Sequence, residues 1–140
     1  MHVQEKMKQF NIHTNTHSEM INITSQVQTY LKEIEIHNGL CMVYVPHTTA
    51  GVTINEDADP DVIHDILTHL DKQIPWKANY RHAEGNSAAH IKASLVGSSV
   101  NVIINNGNLV LGTWQSIFFC EFDGPRSQRH IIVQVYSARS

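Results

Sequence analysis

Val100-Asn101-Val102-Ile103-Ile104-Asn105-Asn106-Gly107-Asn108-Leu109-Val110-Leu111 decides the fold class. Val100 to Ile104 is rich in β-branched residues. Asn106-Gly107 is the pair a tight hairpin asks for, because both central residues must accept positive φ, and Leu109 to Leu111 makes the return. Ile117 to Phe122 and Ile131 to Tyr136 then supply two more short apolar runs, so the end of the chain reads as strands.

Upstream the pattern is mixed. Phe10 to Thr14 alternates apolar and polar like a half-buried strand. Ile23, Val27, Leu31 and Ile34 share one helix face, predicting a helix from Thr24 to Ile36 with Thr24 or Ser25 as cap and Asn38-Gly39 as stop. Leu40 to Val45 reads as an interior strand ending at Pro46, and Val52 to Asn55 as another. Asp59-Pro60 opens a second helix along Val62, Ile63, Ile66, Leu67 and Leu70, closed by Pro75. A third is capped near Asn86 and closes at Gly97. Helices early and strands late predict an α+β fold.

The chain has 140 residues, enough for one domain that buries roughly 68–70% of its unfolded surface. Hydrophobic residues make up 41% and charged residues 16%, which excludes a disordered chain. A net charge of −3 with no basic cluster argues against a nucleic-acid partner. The longest apolar run, six residues from Leu40 to Val45, is far short of the roughly twenty a membrane helix needs. The first thirty residues lack the apolar stretch and cleavage site of a signal peptide. Cys41 and Cys120, each inside an apolar stretch, read as buried thiols, so the expected compartment is the cytoplasm.

Ten histidines make position the question. Pro46-His47-Thr48-Thr49-Ala50-Gly51 leaves a core strand; its hydroxyls and N–H groups suit an anion and its imidazole a metal or a proton, or it is a Thr-rich turn that satisfies itself. In Asn55-Glu56-Asp57-Ala58-Asp59, helix-start chemistry explains Asp59 and Asp61 but leaves Glu56 as a candidate ligand for Mg²⁺. His82 and His90 flank the third helix start, where imidazoles can meet one ion and Asn86 opens an anion site; packed or solvated histidines are the plainer reading. Arg126 and Arg129 can fork a phosphate or pair with Glu121 or Asp123. Trp114, beside Gln115, can stack a planar ligand or sit in a core or interface.

Taken together these motifs become recognisable. His47-Thr48-Thr49-Ala50, Asn55-Glu56, Asp59-Pro60, Tyr80-x-His82, Ala89-His90-Ile91-Lys92-Ala93-Ser94 with Gly97, Gly112-Thr113-Trp114-Gln115 and Glu121-Phe122-Asp123-Gly124-Pro125-Arg126 resemble the uncharacterised YjbQ-type family, the so-called secondary thiamine-phosphate synthases. The resemblance runs from about residue 5 to the C-terminus. It implies a single domain over residues 1–140, a largely antiparallel β-sandwich-like core with flanking helices, and a homotrimer. It further implies a site at the subunit junction built from the His47 loop, Glu56, His82 and His90, with a divalent metal, Zn or Mg.

The implied activity is a weak transfer that joins a hydroxymethylpyrimidine diphosphate to a thiazole phosphate. On that chemistry His47, Glu56 and Arg129 are the catalytic candidates, and His47, His82 and His90 the metal ligands. Thr48, Thr49, Asn86, Trp114, Gln115 and Arg126 would hold a small phosphorylated or anionic metabolite. A zinc-type hydrolase, needing three protein ligands and an open position, and a non-catalytic metal- or ligand-binding trimer stay open beside it.

Overall fold

The strands at the end of the chain divide between two antiparallel sheets. The structure is a computed structural model describing residues 2–139. Its elements run β1 (His2–Ile12), β2 (Glu19–Asn22), α1 (Thr24–Glu33), β3 (Gly39–Tyr44), β4 (Ala50–Glu56), α2 (Pro60–Gln73), α3 (Ser87–Val96), β5 (Ser99–Asn105), β6 (Asn108–Leu109), β7 (Gln115–Glu121) and β8 (Arg129–Arg139). One sheet has the order β1-β8-β3-β5-β6 and the other β2-β7-β4. The fold is therefore mixed α+β in a single domain, with antiparallel sheets and three helices.

Strand periodicity explains the layering. In β3, Cys41 and Val43 point inward, joined by Val102 and Ile104 of β5 and Ile131, Val133 and Val135 of β8. They meet Val52, Ile117 and Phe119 of the smaller sheet, with Val27, Tyr30 and Leu31 of α1. β7 is apolar on both faces because both are covered. Its alternate residues Phe118 and Cys120, with Phe122 just beyond, pack on Ala89 and Ala93 of α3 and on Ile63, Leu67 and Leu70 of α2. The smaller sheet is thus the middle layer. Burial pushes the thiols of Cys41 and Cys120 up to about 12, so both stay protonated.

Several expectations need correction. β2 was not legible: four residues, Glu19–Asn22, are too few to show a period. The return arm β6 is two residues long, although Asn106 and Gly107 make the positive-φ turn the sequence demands, at 51° and 79°. α1 ends at Glu33, because Glu35 turns left-handed at φ 55° and the Ile36 N–H folds back to the Leu31 carbonyl. Neither Thr24 nor Ser25 caps it. Asn22 Oδ1 accepts from the Thr24 N–H, and Thr24 Oγ1 accepts from the Ile117 N–H. Asp59 does cap α2, accepting from the Asp61 N–H at 2.9 Å.

Candidate functional site

A cleft of about 710 Å³ opens where the end of β3 and its following loop, and the start of β8, meet the start of α3, lined in part by His47, Thr48, His82, Asn86, Arg126 and Arg129. Small residues let α3 reach this position. Ala89 and Ala93 pack on the middle sheet, and Gly51 approaches so closely that an added Cβ would lie 2.6 Å from the Gly97 carbonyl oxygen. The Val52 N–H donates to that same oxygen at 3.1 Å. His90 therefore rides on a helix pinned to β4, while His82 sits on the exposed loop before it.

The His47 loop is fixed from below by a buried ion pair. Glu121 is fully buried, and its carboxylate takes Arg129 Nε at 2.9 Å and Nη2 at 2.5 Å. Thr14 Oγ1 donates to Oε1 and the Asp123 N–H to Oε2. Burial alone would raise the Glu121 pKa, but the hydrogen bonds from Arg129, Asp123 and Thr14 outweigh it and hold the group below its ordinary value. Arg129 Nη2 also donates to Thr49 Oγ1 at 2.8 Å, tying the loop to the pair. Nη1 makes no hydrogen bond among the described residues, and Arg129 lines the cleft, so this nitrogen is its free donor there.

His47 is committed through one ring nitrogen. The His130 backbone N–H donates to Nε2 at 2.9 Å, and the two imidazoles stack with centroids 5.9 Å apart. Burial, then the charges of Arg129 and His130, lower the His47 pKa. The ring is neutral with its proton on Nδ1, which makes it a hydrogen-bond donor.

Asn86 departs from its expected role. It stands at the start of α3, yet its side chain makes no cap hydrogen bond. Its amide nitrogen donates to Glu84 Oε2 at 3.1 Å and Asp123 Oδ2 at 3.0 Å, while Oδ1 is buried without a partner. Arg126 pairs with the same Asp123 oxygen at 3.0 Å, with nearly half its side chain exposed.

The structure thus gathers His47, Thr48, Thr49, His82, Asn86, His90, Arg126 and Arg129 around one cleft. It does not bring Glu56, Trp114 or Gln115 there. Glu56 lies at the opposite end of β4 from Ala50, about 20 Å along a strand rising ~3.3 Å per residue. Gln115 is paired with Glu56, and its side chain accepts from the Gly112 N–H of its own loop. Trp114 is 62% exposed. Sequence reasoning missed Glu84, which is only two residues from Asn86, because nothing local shows which carboxylate the fold turns inward; Glu121 and Asp123 were named as partners for the arginines, and Arg129 takes the first and Arg126 the second.

The donor set does not make a three-ligand metal centre within this chain. His47 has spent Nε2 on a backbone N–H, and His82 and His90 meet edge to face with centroids 5.4 Å apart. Among the described residues no three His, Cys, Asp or Glu side chains are placed to hold a metal ion. Nor is any helix among them long and apolar enough to cross a membrane.

Comparison with known proteins places this architecture. The family model described as UPF0047 protein YjbQ-like matches residues 8–138, and the chain belongs to that family. It is 54% identical to the UPF0047 protein YugU of Bacillus subtilis over 123 residues, 87% of this chain and 93% of that one. The UPF0047 protein of Methanocaldococcus jannaschii is 48% identical over 132 residues, covering 94% and 96%. Among solved structures, a YbjQ-like protein of unknown function from Sulfolobus solfataricus superposes with a TM-score of 0.93 at 33% identity, covering 98% of this chain and 100% of that one. An uncharacterised conserved YjbQ/UPF0047 protein from Clostridium acetobutylicum gives a TM-score of 0.89 at 52% identity, covering 91% and 98%.

Proposed function

We propose that this member of the YjbQ-like family binds a small phosphorylated metabolite in the His47–Arg129 cleft and acts as a thiamine-phosphate synthase-like transferase. The observation that carries the reading is a convergence of donors: Arg129 Nη1, the Arg126 guanidinium and the open N-terminus of α3 line one cleft. Such an array suits phosphate oxygens, and it suits still better a diphosphate that gains charge as it leaves. In the reaction the bond between the pyrimidine methylene carbon and the diphosphate oxygen breaks. The thiazole nitrogen forms the new bond to that carbon, giving thiamine phosphate and free diphosphate. The arginines stabilise the leaving charge and the neutral His47 donates a hydrogen bond.

A divalent cation, in this reading, enters with the diphosphate and neutralises part of its charge. A zinc hydrolase is the less favoured alternative, since the three histidines do not form the ligand set it needs. A non-catalytic binding trimer shares the cleft and differs only in lacking turnover.

Assembly as a homotrimer belongs to the same reading. Leu40 faces Ile103 on one side and Tyr136 on the other, on the outer face of the larger sheet. Ile103 is 61% exposed. β3 is a central strand apolar on both faces, and a second copy is the natural cover for the outer one. Glu56 and Trp114 can then reach a cleft only from a neighbouring copy, which suits a junction site. The cytoplasm, with its reduced thiols and phosphorylated metabolites, is the compartment this reading assigns.

Calorimetry with diphosphate and Mg²⁺, followed by an assay with both phosphorylated substrates, tests the proposal. Diphosphate should bind, several-fold more weakly in Arg126→Ala, and thiamine phosphate should form. Absence of diphosphate binding would discard the anion site; binding without product would leave the non-catalytic reading.

A further inference from the structure

Residues 75–85, which join α2 to α3, pair with neither sheet. Their hydrogen bonds close among themselves. Tyr80 Oη donates to the Pro75 carbonyl at 2.6 Å, the Tyr80 N–H to that of Ala78 at 2.8 Å, and the Gly85 N–H to that of His82 at 3.2 Å. Among the described residues only the Glu84 carboxylate, accepting from Asn86, makes a hydrogen bond outside the segment. The base is latched: Lys92 of α3, 2% exposed, pairs with Asp71 in the last turn of α2. Trp76 packs against the Phe118 and Phe122 cluster and meets His17 edge to face at 4.3 Å. The far end turns at Gly85, at φ 79° with nothing within 4 Å of an added Cβ. A loop with joined ends and its own polar groups satisfied swings as one body for the loss of a single hydrogen bond.

The segment also carries charge that nothing in the fold uses. Lys77 and Arg81 are exposed, and neither forms an ion pair or a side-chain hydrogen bond among the described residues. Arg126 and Arg129 are by contrast shared with Asp123 and Glu121. Arg81 is next in the chain to His82, which lines the cleft. We propose that residues 75–85 are a flap that closes over the cleft once an anion occupies it, and that closure sets the Arg81 guanidinium on that anion. In the open cleft the anion keeps its water; closure expels that water and strengthens every charge contact inside. This inference rests on the anion-binding reading of the cleft and adds how the site shuts.

Limited trypsin digestion of the full chain, with and without Mg²⁺ and diphosphate, tests it, alongside calorimetry on the same samples. Lys77 and Arg81 are the flap's trypsin sites, and Lys77 does not line the cleft, so contact with the ligand alone would not shield it. Saturating diphosphate should slow cleavage after both by about tenfold, while cleavage after Lys32 on α1, which reports opening of the whole fold, should change by less than about twofold. Arg81→Gln alters an exposed side chain and spares the core. It should weaken diphosphate binding by about tenfold and leave Lys77 unprotected at saturation. Equal slowing at Lys77 and Lys32, no slowing at Lys77, or an Arg81→Gln variant that binds and is protected like wild type overturns the flap alone. Absence of a calorimetric signal removes the anion-binding reading and the flap with it.

Discussion

The His130 backbone N–H donates a 2.9 Å hydrogen bond to His47 Nε2, joining the first residues of β8 to the loop after β3. That bond exists only while Nε2 is unprotonated, so it selects the neutral ring with hydrogen on Nδ1. Long-range ¹H–¹⁵N correlation spectra should show the Nδ1–H tautomer for His47 at pH 7 and a titration midpoint below 6.5. A midpoint above 6.5 would mean that the ring holds a proton the geometry does not allow.

Stability should fall in two stages as the solution is acidified. The His47 pKa is lowered in the folded state, so its contribution is complete above the ordinary 6.5 and drains away as pH drops from there through the folded value. Glu121 is also lowered, from 4.5, so its contribution is complete above that value and is lost below it. Urea midpoints measured against pH should show both stages, and His47→Gln should abolish only the first.

Glu121→Gln keeps the side-chain shape but strips the buried Arg129 of its counter-charge. Breaking one side of a buried pair costs about 3–5 kcal/mol, and chemical denaturation should show a loss of that order. A loss under about 1 kcal/mol would mean that the His47 loop is held by something other than this pair.

Gly51→Ala should destabilise the fold. The new methyl would meet the Gly97 carbonyl oxygen at 2.6 Å, backbone against backbone, so α3 must move off β4 and carry His90 with it. Overpacking of this kind costs about 1–3 kcal/mol, and phosphate binding should weaken along with it. Unchanged binding would show that the cleft does not depend on this close approach.

Ile103→Asp places a charge in the outer apolar face of the larger sheet, opposite Leu40. Sedimentation should change from the mass of three chains to that of one, with the circular dichroism spectrum retained. A variant that still assembles would put the interface elsewhere.

The sequence by itself determined the local pieces. The Asn106-Gly107 turn and the Asp59 cap follow from backbone chemistry acting over two or three residues. The periodic apolar faces marked two helices and most strands, Asn86 and Gly97 bracketed the third helix, and the spaced motifs were specific enough to identify the family. Tertiary structure decided what depends on partners far along the chain. Glu121 and Arg129 are eight residues apart, but their buried pairing needs Thr14 and Thr49 to complete it. Glu56 looked like a partner of His47 nine residues earlier, and an extended strand carried it to the other end of the sheet. Asn86 looked like a helix cap, and the fold gave its amide to two carboxylates and left its carbonyl oxygen unpaired. Local pattern reports backbone preference and burial; which polar group meets which is settled only when distant segments are packed together.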